Sequence, residues 1–331
     1  MRRSGHFLGV RRLLVPLALL LLVGTAAACG TPAARHRGEL RAKSGASQAA
    51  APRAAPTVAR FSHVFLVVME NEPYGAALSD PSIRALAHRY GYDSRSYAAS
   101  HPSLPNYLAL TGGSTFGISS DCLTCYVSAS NLATELQAAH VSWAGYFQSV
   151  TSPCYLGTSY GDYAAKHNPF RYYRQVRSSP SLCNRLRPYG ELAHVLAGKA
   201  STVPRFVWVT PNVCSDGHSC PLSVAGRYLT GLVKEITASA AWRQDGLLLI
   251  TWDEGAFGDP TSITPAGRLL ASGGGGHILT LVITPRLAHG VELRAPLTHY
   301  GLLATIEENF GLPLLRQARS WAGHTLSRFG S

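Results

Sequence analysis

Two polar residues, Glu70 and Asn71, stand directly behind an unbroken apolar run from Val64 to Met69. A carboxylate at such a point is costly to bury unless something pairs with it. The arrangement recurs where Asp253 and Glu254 follow Leu247 to Trp252. The chain has only 18 Asp and Glu in 331 residues, so three of them behind two buried runs narrow the choices. One choice is capping of the next helix, in which a side-chain oxygen accepts a backbone N–H. The other is a divalent cation shared by Glu70, Asp253, Glu254 and the carbonyl oxygen of Asn71. Oxygen-rich sets suit hard or borderline ions such as Mg, Ca or Mn. Capping competes for any one residue; a shared cation accounts for all of them.

His101-Pro102-Ser103-Leu104-Pro105-Asn106 offers a nucleophile. Pro105 suits the first turn of a helix, and Ser103 sits just ahead of it. A serine there is either a plain N-cap or a hydroxyl poised at the positive end of the helix dipole, where an alkoxide and an incoming phosphate are both favoured. Among the 13 histidines, His167 lies in a polar loop. His218 shares the segment Asn212–Cys220 with Asp216, and a bridge between Cys214 and Cys220 would fix both in space. His277 follows four glycines and could reach the same place, whereas His299 reads as a helix boundary.

These residues need a scaffold that brings them together. Val64–Met69, Phe206–Val209, Leu247–Trp252 and Ile278–Ile283 are continuous apolar runs, the pattern of strands buried on both faces. Val141–Phe147 is a further candidate strand. Helices are predicted over 105–111 (stopped by Gly112-Gly113), 131–139 (capped by Ser130), 224–241 and 299–310 (stopped by Gly311). Alternating strands and helices imply an α/β protein of three layers, α/β/α, with a mainly parallel central sheet. Ligands of such sheets bind beyond the carboxyl ends of the strands. Glu70-Asn71, Asn212–His218 and Asp253-Glu254 all fall there.

The chain begins with Arg2, Arg3, Arg11 and Arg12, then an apolar run from Leu13 to Val23, then Ala26-Ala27-Ala28-Cys29. This reads as a signal peptide over 1–28, and Cys29 as either an ordinary mature residue or the lipidated cysteine of a lipoprotein. Residues 29–59 are rich in Ala, Pro and Arg and read as a disordered linker, which leaves 60–331 as the catalytic domain. No later run of about 18 apolar residues predicts a membrane span. Residues 1–28 hold four Arg and no acid, so the formal charge of +12 becomes +8 without them. That charge suits anionic surfaces or phosphorylated substrates. No basic run with interleaved aromatics points to nucleic acid. Cys122, Cys125, Cys154, Cys183, Cys214 and Cys220 form an even set, as expected of disulfides in an exported chain. Local pairing would give 122–125, 154–183 and 214–220; a zinc site at Cys122-x-x-Cys125 is the alternative.

Several of these segments, in this order, resemble the bacterial phosphoesterase family of acid phosphatases and phosphatidylcholine-type phospholipases C, related in fold to alkaline phosphatase. They are Val67-Val68-Met69-Glu70-Asn71, His101–Leu110, Lys166-His167-Asn168-Pro169-Phe170, Asn212–Cys220, Thr251-Trp252-Asp253-Glu254-Gly255 and His299-Tyr300. The resemblance implies Glu70, Asn71, Asp253, Glu254 and Ser103 around one divalent ion, with Mg, Ca, Mn and Zn all open. It implies Ser103 as nucleophile, and Asn106, His167 and His218 as phosphate-contacting or proton-transfer groups, with Asp216 beside them and His101 and His277 as lesser candidates. The family often has His after Glu-Asn; here the residue is Glu72.

The expectation is therefore an exported phosphomonoester hydrolase of a bacterium, secreted or anchored at the cell surface through a lipidated Cys29. It would be metal-dependent and work through a phosphoserine on a phosphorylated small molecule. A phospholipase C-type phosphodiesterase acting on a phospholipid headgroup is the alternative. An inactive cell-surface binding protein of the same fold is the second.

Overall fold

The computed structural model describes residues 60–326. The expected signal peptide, Cys29 and the whole of the expected linker lie outside the described residues. The chain forms β1 (His63–Met69), α1 (Tyr74–Ser79), α2 (Pro81–Arg89), β2 (Gly91–Tyr97), α3 (Ser103–Gly112), β3 (Trp143–Phe147), β4 (Leu186–Pro188), β5 (Phe206–Thr210), β6 (Gly246–Trp252), β7 (Ser262–Ile263), β8 (Leu269–Leu270), β9 (His277–Ile283), β10 (Val291–Leu293) and β11 (Leu297–Thr298). The main helices besides α1–α3 are Leu132–Ala138, Leu222–Ala238 and His299–Phe310.

Nine strands make one sheet in the order β10-β2-β9-β6-β1-β5-β3-β4, with β11 also on β2. Every pairing is parallel except the two that β9 makes, with β6 and with β2. β9 alone therefore runs against the rest, and its amino end lies at the edge where the others finish. β7 and β8 form a separate hairpin in the loop after β6.

The apolar runs of β1, β5 and β6 are explained by two cores. On β1, Val64, Leu66 and Val68 enter one apolar cluster, and Phe65, Val67 and Met69 enter the other. The first cluster takes α3, Leu132–Ala138 and His299–Phe310; the second takes α2 and Leu222–Ala238. Alternate side chains of a strand point to opposite faces, so a strand covered on both sides must be apolar throughout. This is the three-layer α/β/α arrangement expected.

Local details differ from the expectation in physical ways. β2 reads Gly-Tyr-Asp-Ser-Arg-Ser-Tyr, with no apolar run to reveal it; its neighbours in the sheet define it. Leu132–Ala138 is capped by Asn131, not Ser130: Asn131 and Thr134 satisfy each other's backbone N–H in a capping box. The long helix stops at Ala238, because the Ser239 side chain instead caps a separate turn, Ala240–Arg243. The six cysteines among the described residues are bridged locally, 122–125, 154–183 and 214–220, which removes the zinc alternative.

α2 was not evident from the sequence. Its N-cap is Asp80, whose Oδ1 accepts from Ser82 N at 2.9 Å and Ile83 N at 3.0 Å. Gly226 lies directly against that carboxylate: a Cβ there would stand 2.2 Å from Asp80 Oδ1. Asp80→Ala is expected to cost about 1–2 kcal/mol, the usual worth of a cap. Gly226→Ala is expected to cost at least as much, despite adding helix propensity, because it displaces the cap. Urea unfolding of the two variants and their double mutant checks this; additive losses would refute a shared cause.

Candidate active site

The parallel register sets the site. Met69 of β1 pairs with Trp252 of β6, and Asp253 N donates to Met69 O at 2.9 Å. Glu70 and Asp253 thus leave the sheet side by side. Glu70 N donates to Asp216 O at 3.1 Å, which draws in the loop after β5. Asp216 Oδ1 accepts from His218 N at 2.8 Å. The Cys214–Cys220 bridge closes that loop.

Ser103 arrives from the first face. It is the first residue of α3, not its cap; Pro102 occupies the N-cap, after a cis His101–Pro102 bond. Freed from capping, the buried hydroxyl donates towards Glu70 Oε2 at 3.2 Å and Glu254 Oε1 at 3.4 Å. Asn106, expected at the phosphate, is placed otherwise. Its Oδ1 accepts from Ala99 N and Ser100 N, at 3.1 and 2.9 Å. Its Nδ2 donates to Ser100 O and Pro102 O, at 2.7 and 3.2 Å. The amide is fully used in pinning the segment that leads into Ser103, so it has nothing left for a ligand. Gly275 backs the same segment, and a Cβ there would collide with Ser100 O at 1.9 Å.

Glu70 is the fully buried centre of the cluster. Its Oε1 accepts from the Tyr107 hydroxyl. Its Oε2 faces Ser103 Oγ and, at 3.2 Å, His167 Nε2. His167 Nδ1 lies 3.5 Å from Asp216 Oδ2, and its ring stacks on Tyr107 with centroids 5.4 Å apart. Burial alone would lower the His167 pKa, but the carboxylates of Glu70 and Asp216 on either side push it up to about 9. Burial opposes ionisation of Glu70 too, yet His167 and the Tyr107 hydroxyl hold its pKa below the usual carboxylate range. Burial and the charge of Glu70 carry Asp216 up to about 6, against the pull of His167.

The other acids are under strain of like charge. Burial, Glu70 and Glu254 together raise Asp253 well above its ordinary pKa. Burial also raises Glu254, although His101 opposes it. His101 Nδ1 pairs with Glu254 Oε2, and its Nε2 lies 2.8 Å from Asp259 O. His218 is exposed at the rim, its ring centroid 5.9 Å from that of His167; desolvation lowers its pKa. His277 is not in the cluster: its ring is stacked between Tyr74 and Tyr97, and its Nε2 meets Ser94 O at 2.9 Å. Glu72 lies half-buried beside Asn71, and burial raises its pKa.

The donor set fits a divalent cation. The inward end of the Asn71 carboxamide lies 3.1 Å from Glu70 Oε2, 3.1 Å from Glu254 Oε1 and 3.2 Å from Asp253 Oδ1. Three acceptors exceed the two protons of an amide nitrogen. With the amide oxygen inward, four oxygens converge at separations that suit ligands about 2.0–2.6 Å from one ion. Asn71 takes a left-handed backbone, φ 51°, and its N–H bonds Asp253 Oδ1 at 2.9 Å, so its side chain is aimed by its own main chain. Asp253 Oδ2, Asp216 Oδ2 and both His167 nitrogens are buried without hydrogen-bond partners. Glu70, His167 and Asp216 also offer ligand atoms within 4.8 Å of one another.

Three site residues were not foreseen: Tyr107, Asp121 and Lys166. Lys166 Nζ lies 2.8 Å from Asp121 Oδ2 and 3.5 Å from Ser103 Oγ, and Asp121 Oδ1 accepts from Leu104 N at 2.9 Å. Tyr107 lies one helical turn beyond Ser103, spacing that shares a face with it. No pattern singled out Asp121, which stands beside a cysteine in an irregular loop.

The fold is that of the alkaline phosphatase superfamily. A superfamily member from Vibrio parahaemolyticus superposes with a TM-score of 0.53 over 78% of this chain and 70% of that one, at 10% identity. The lipoteichoic acid synthase LtaP of Listeria monocytogenes gives 0.51 over 83% and 77%, at 9% identity. Within that fold, residues 76–313 match the Phosphoesterase family, and the chain belongs to it. It is 27% identical to an acid phosphatase of Aspergillus fumigatus over 77% of this chain and 56% of that protein. It is 28% identical to a phosphatidylinositol-3-phosphatase of Mycobacterium tuberculosis over 78% of this chain and 80% of that protein. The chain thus spans little more than half the length of the fungal relative, and the resemblance is not confined to bacterial proteins.

The His167 triad makes a pH prediction for the metal-free protein. Its folded pKa of about 9 exceeds the ordinary 6.5, so its contribution is full below pH 6.5 and is lost as pH rises towards 9. Melting temperature in chelator should fall across that window, by on the order of several degrees, and His167→Asn should flatten the fall. Parallel profiles for the two proteins would refute the assignment.

Proposed function

We propose that this protein is an exported, metal-dependent phosphomonoester hydrolase of acid-phosphatase type, with Ser103 as nucleophile. The observation that carries the reading is the Ser103 hydroxyl: buried, at the first position of a helix, and within 3.4 Å of two carboxylates. That placement serves no cap.

Glu70, Asn71, Asp253, Glu254 and Ser103 would hold the divalent ion, whose charge would favour the alkoxide and neutralise a phosphate oxygen. The chain's own residues supply the rest. Glu70 or Glu254 accepts the Ser103 proton. The Ser103 Oγ–P bond forms in line as the bond from phosphorus to the leaving oxygen breaks. His218, exposed at the rim, would give that oxygen its proton. Water, giving its proton to the now neutral His218, then attacks phosphorus; the Oγ–P bond breaks, the carboxylate returns its proton to Ser103, and phosphate leaves. His167, enclosed by Glu70 and Asp216, orients Glu70 rather than meeting the leaving group.

Export rests on the amino-terminal sequence, with Cys29 either lipidated or not, and three disulfides suit an oxidising compartment. One observation favours the lipid alternative. Phe257 is 93% exposed and stands edge-on to His101, centroids 6.2 Å apart. An exposed aromatic ring beside the partner of Glu254 offers contact to an ester with an apolar body. An inactive binding protein would have no use for the Ser103 geometry.

Ser103→Ala is expected to lower kcat on an aryl phosphate by at least about 1,000-fold while leaving the fold unchanged. Chelator should abolish turnover of the parent protein, and one of Mg, Ca, Mn or Zn should restore it. Full activity of Ser103→Ala, or indifference to chelator, would overturn the reading. Comparing an aryl phosphate with phosphatidylcholine and a phosphoinositide in mixed micelles separates phosphatase from phospholipase. Phe257→Ser should lower rates on micelles more than on the soluble ester.

A further inference from the structure

Lys166 plays no part in the steps above, yet it lies within 3.5 Å of the Ser103 hydroxyl. It sits in the short turn Ala165–His167, so the buried His167 ring fixes where the Lys166 side chain leaves the backbone. Its ammonium pairs with Asp121 Oδ2 at 2.8 Å, and the other oxygen of Asp121 holds Leu104 N at 2.9 Å. One carboxylate therefore ties Lys166 to the helical turn that carries Ser103. Lys166 and Asp121 remain 21% and 28% exposed, so solvent still reaches the pair.

The neighbouring groups sharpen the point. Glu70, Asp253 and Glu254 present oxygens, which repel a phosphate. His101 is engaged by Glu254 and Asp259 O, and His167 lies between two carboxylates. Lys166 has an ammonium with three donors; Asp121 takes one at 2.8 Å and Ser103 Oγ lies at the 3.5 Å limit of a second, which leaves at least one for a phosphate oxygen.

We propose that Lys166 is a further catalytic residue, which holds a non-bridging oxygen of the phosphoryl group attacked by Ser103, and that Asp121 is the positioning residue that aims it. The proposal rests on Ser103 being the nucleophile. Lys166 keeps all its protons: as the Oγ–P bond forms and the leaving P–O bond breaks, it donates hydrogen bonds to the oxygen that stays on phosphorus. Fixed donors aimed at transition-state charge are worth far more than their ground-state contacts.

The test uses the metal-loaded protein with an aryl phosphate as substrate and inorganic phosphate as inhibitor. Lys166→Met is expected to lower kcat by about 100- to 1,000-fold and to weaken phosphate inhibition, with metal uptake and melting temperature unchanged. Lys166→Arg should recover part of the rate, and Lys166→Gln replaces Met if that variant does not fold. Asp121→Asn should lower kcat about tenfold alone and have no further effect in Lys166→Met, since coupled residues are non-additive; Asp121→Glu should restore part of the loss. Lys166→Met within about threefold of the parent rate, beside an inactive Ser103→Ala, overturns the catalytic role and leaves the nucleophile standing. Additive losses at 121 and 166 overturn the positioning role. An active Ser103→Ala removes the basis of both.

Discussion

A carboxylate with no exposure to solvent, Glu70, is the constraint around which the rest is arranged. An isolated buried charge would shed its ionisation or unfold the strand end that carries it. Here each oxygen is answered: one by Tyr107, the other by Ser103 and His167. The partners come from α3 and from the turn before it in space, 165–167, and they reach Glu70 only if the first helical layer is docked. Ser103 is thus positioned by the same contacts that make the carboxylate tolerable. His167 is in turn bracketed by Asp216, which the loop after β5 delivers through a backbone bond to Glu70 itself. Charge, packing and backbone pairing converge on one residue.

The sheet supplies the other half. Because β1 and β6 are parallel neighbours in register to their last residues, two acids directly after those strands must emerge together. Antiparallel strands would have sent them to opposite edges. The antiparallel β9 brings the opposite end of its own strand to this edge, which lets the glycine-rich segment after β6 fold back against Ser100 and close the far side.

The strand-end acids were legible in the sequence because burial on both faces leaves a continuous apolar run, and any polar residue at its end stands out. Ser103 was legible as a choice between cap and nucleophile; only the structure places Pro102 at the cap. Asn106 shows how residue type misleads. A buried amide near a nucleophile suggests a ligand contact, yet its four hydrogen-bonding positions are spent on backbone. His277 is similar: the four glycines before it suggested that it could reach the site, while two tyrosines take its ring. β2 and Asp121 left no pattern, since a polar strand defined by its neighbours and an acid in an irregular loop have no periodicity to read. Tyr107 was hidden inside a helix that is buried all round, where a polar tip is not distinguishable from core.

The division of labour between strands and loops also explains the disulfides. Glu70, Asp253 and Glu254 sit just beyond strand ends that the sheet holds in register. Lys166, Asp121 and His218 sit on loops, which are mobile unless tied. The 122–125 and 214–220 bridges close very short loops, and chain entropy credits such closures with only about 2 kcal/mol, against under about 4 for the 154–183 bridge. Their placement says more than their energy. One follows Asp121 directly, and the other encloses Asp216 and His218. Each short bridge limits how far its neighbouring residues can wander from the strand-borne acids, as the proposed phosphoryl transfer would require of donors held in advance.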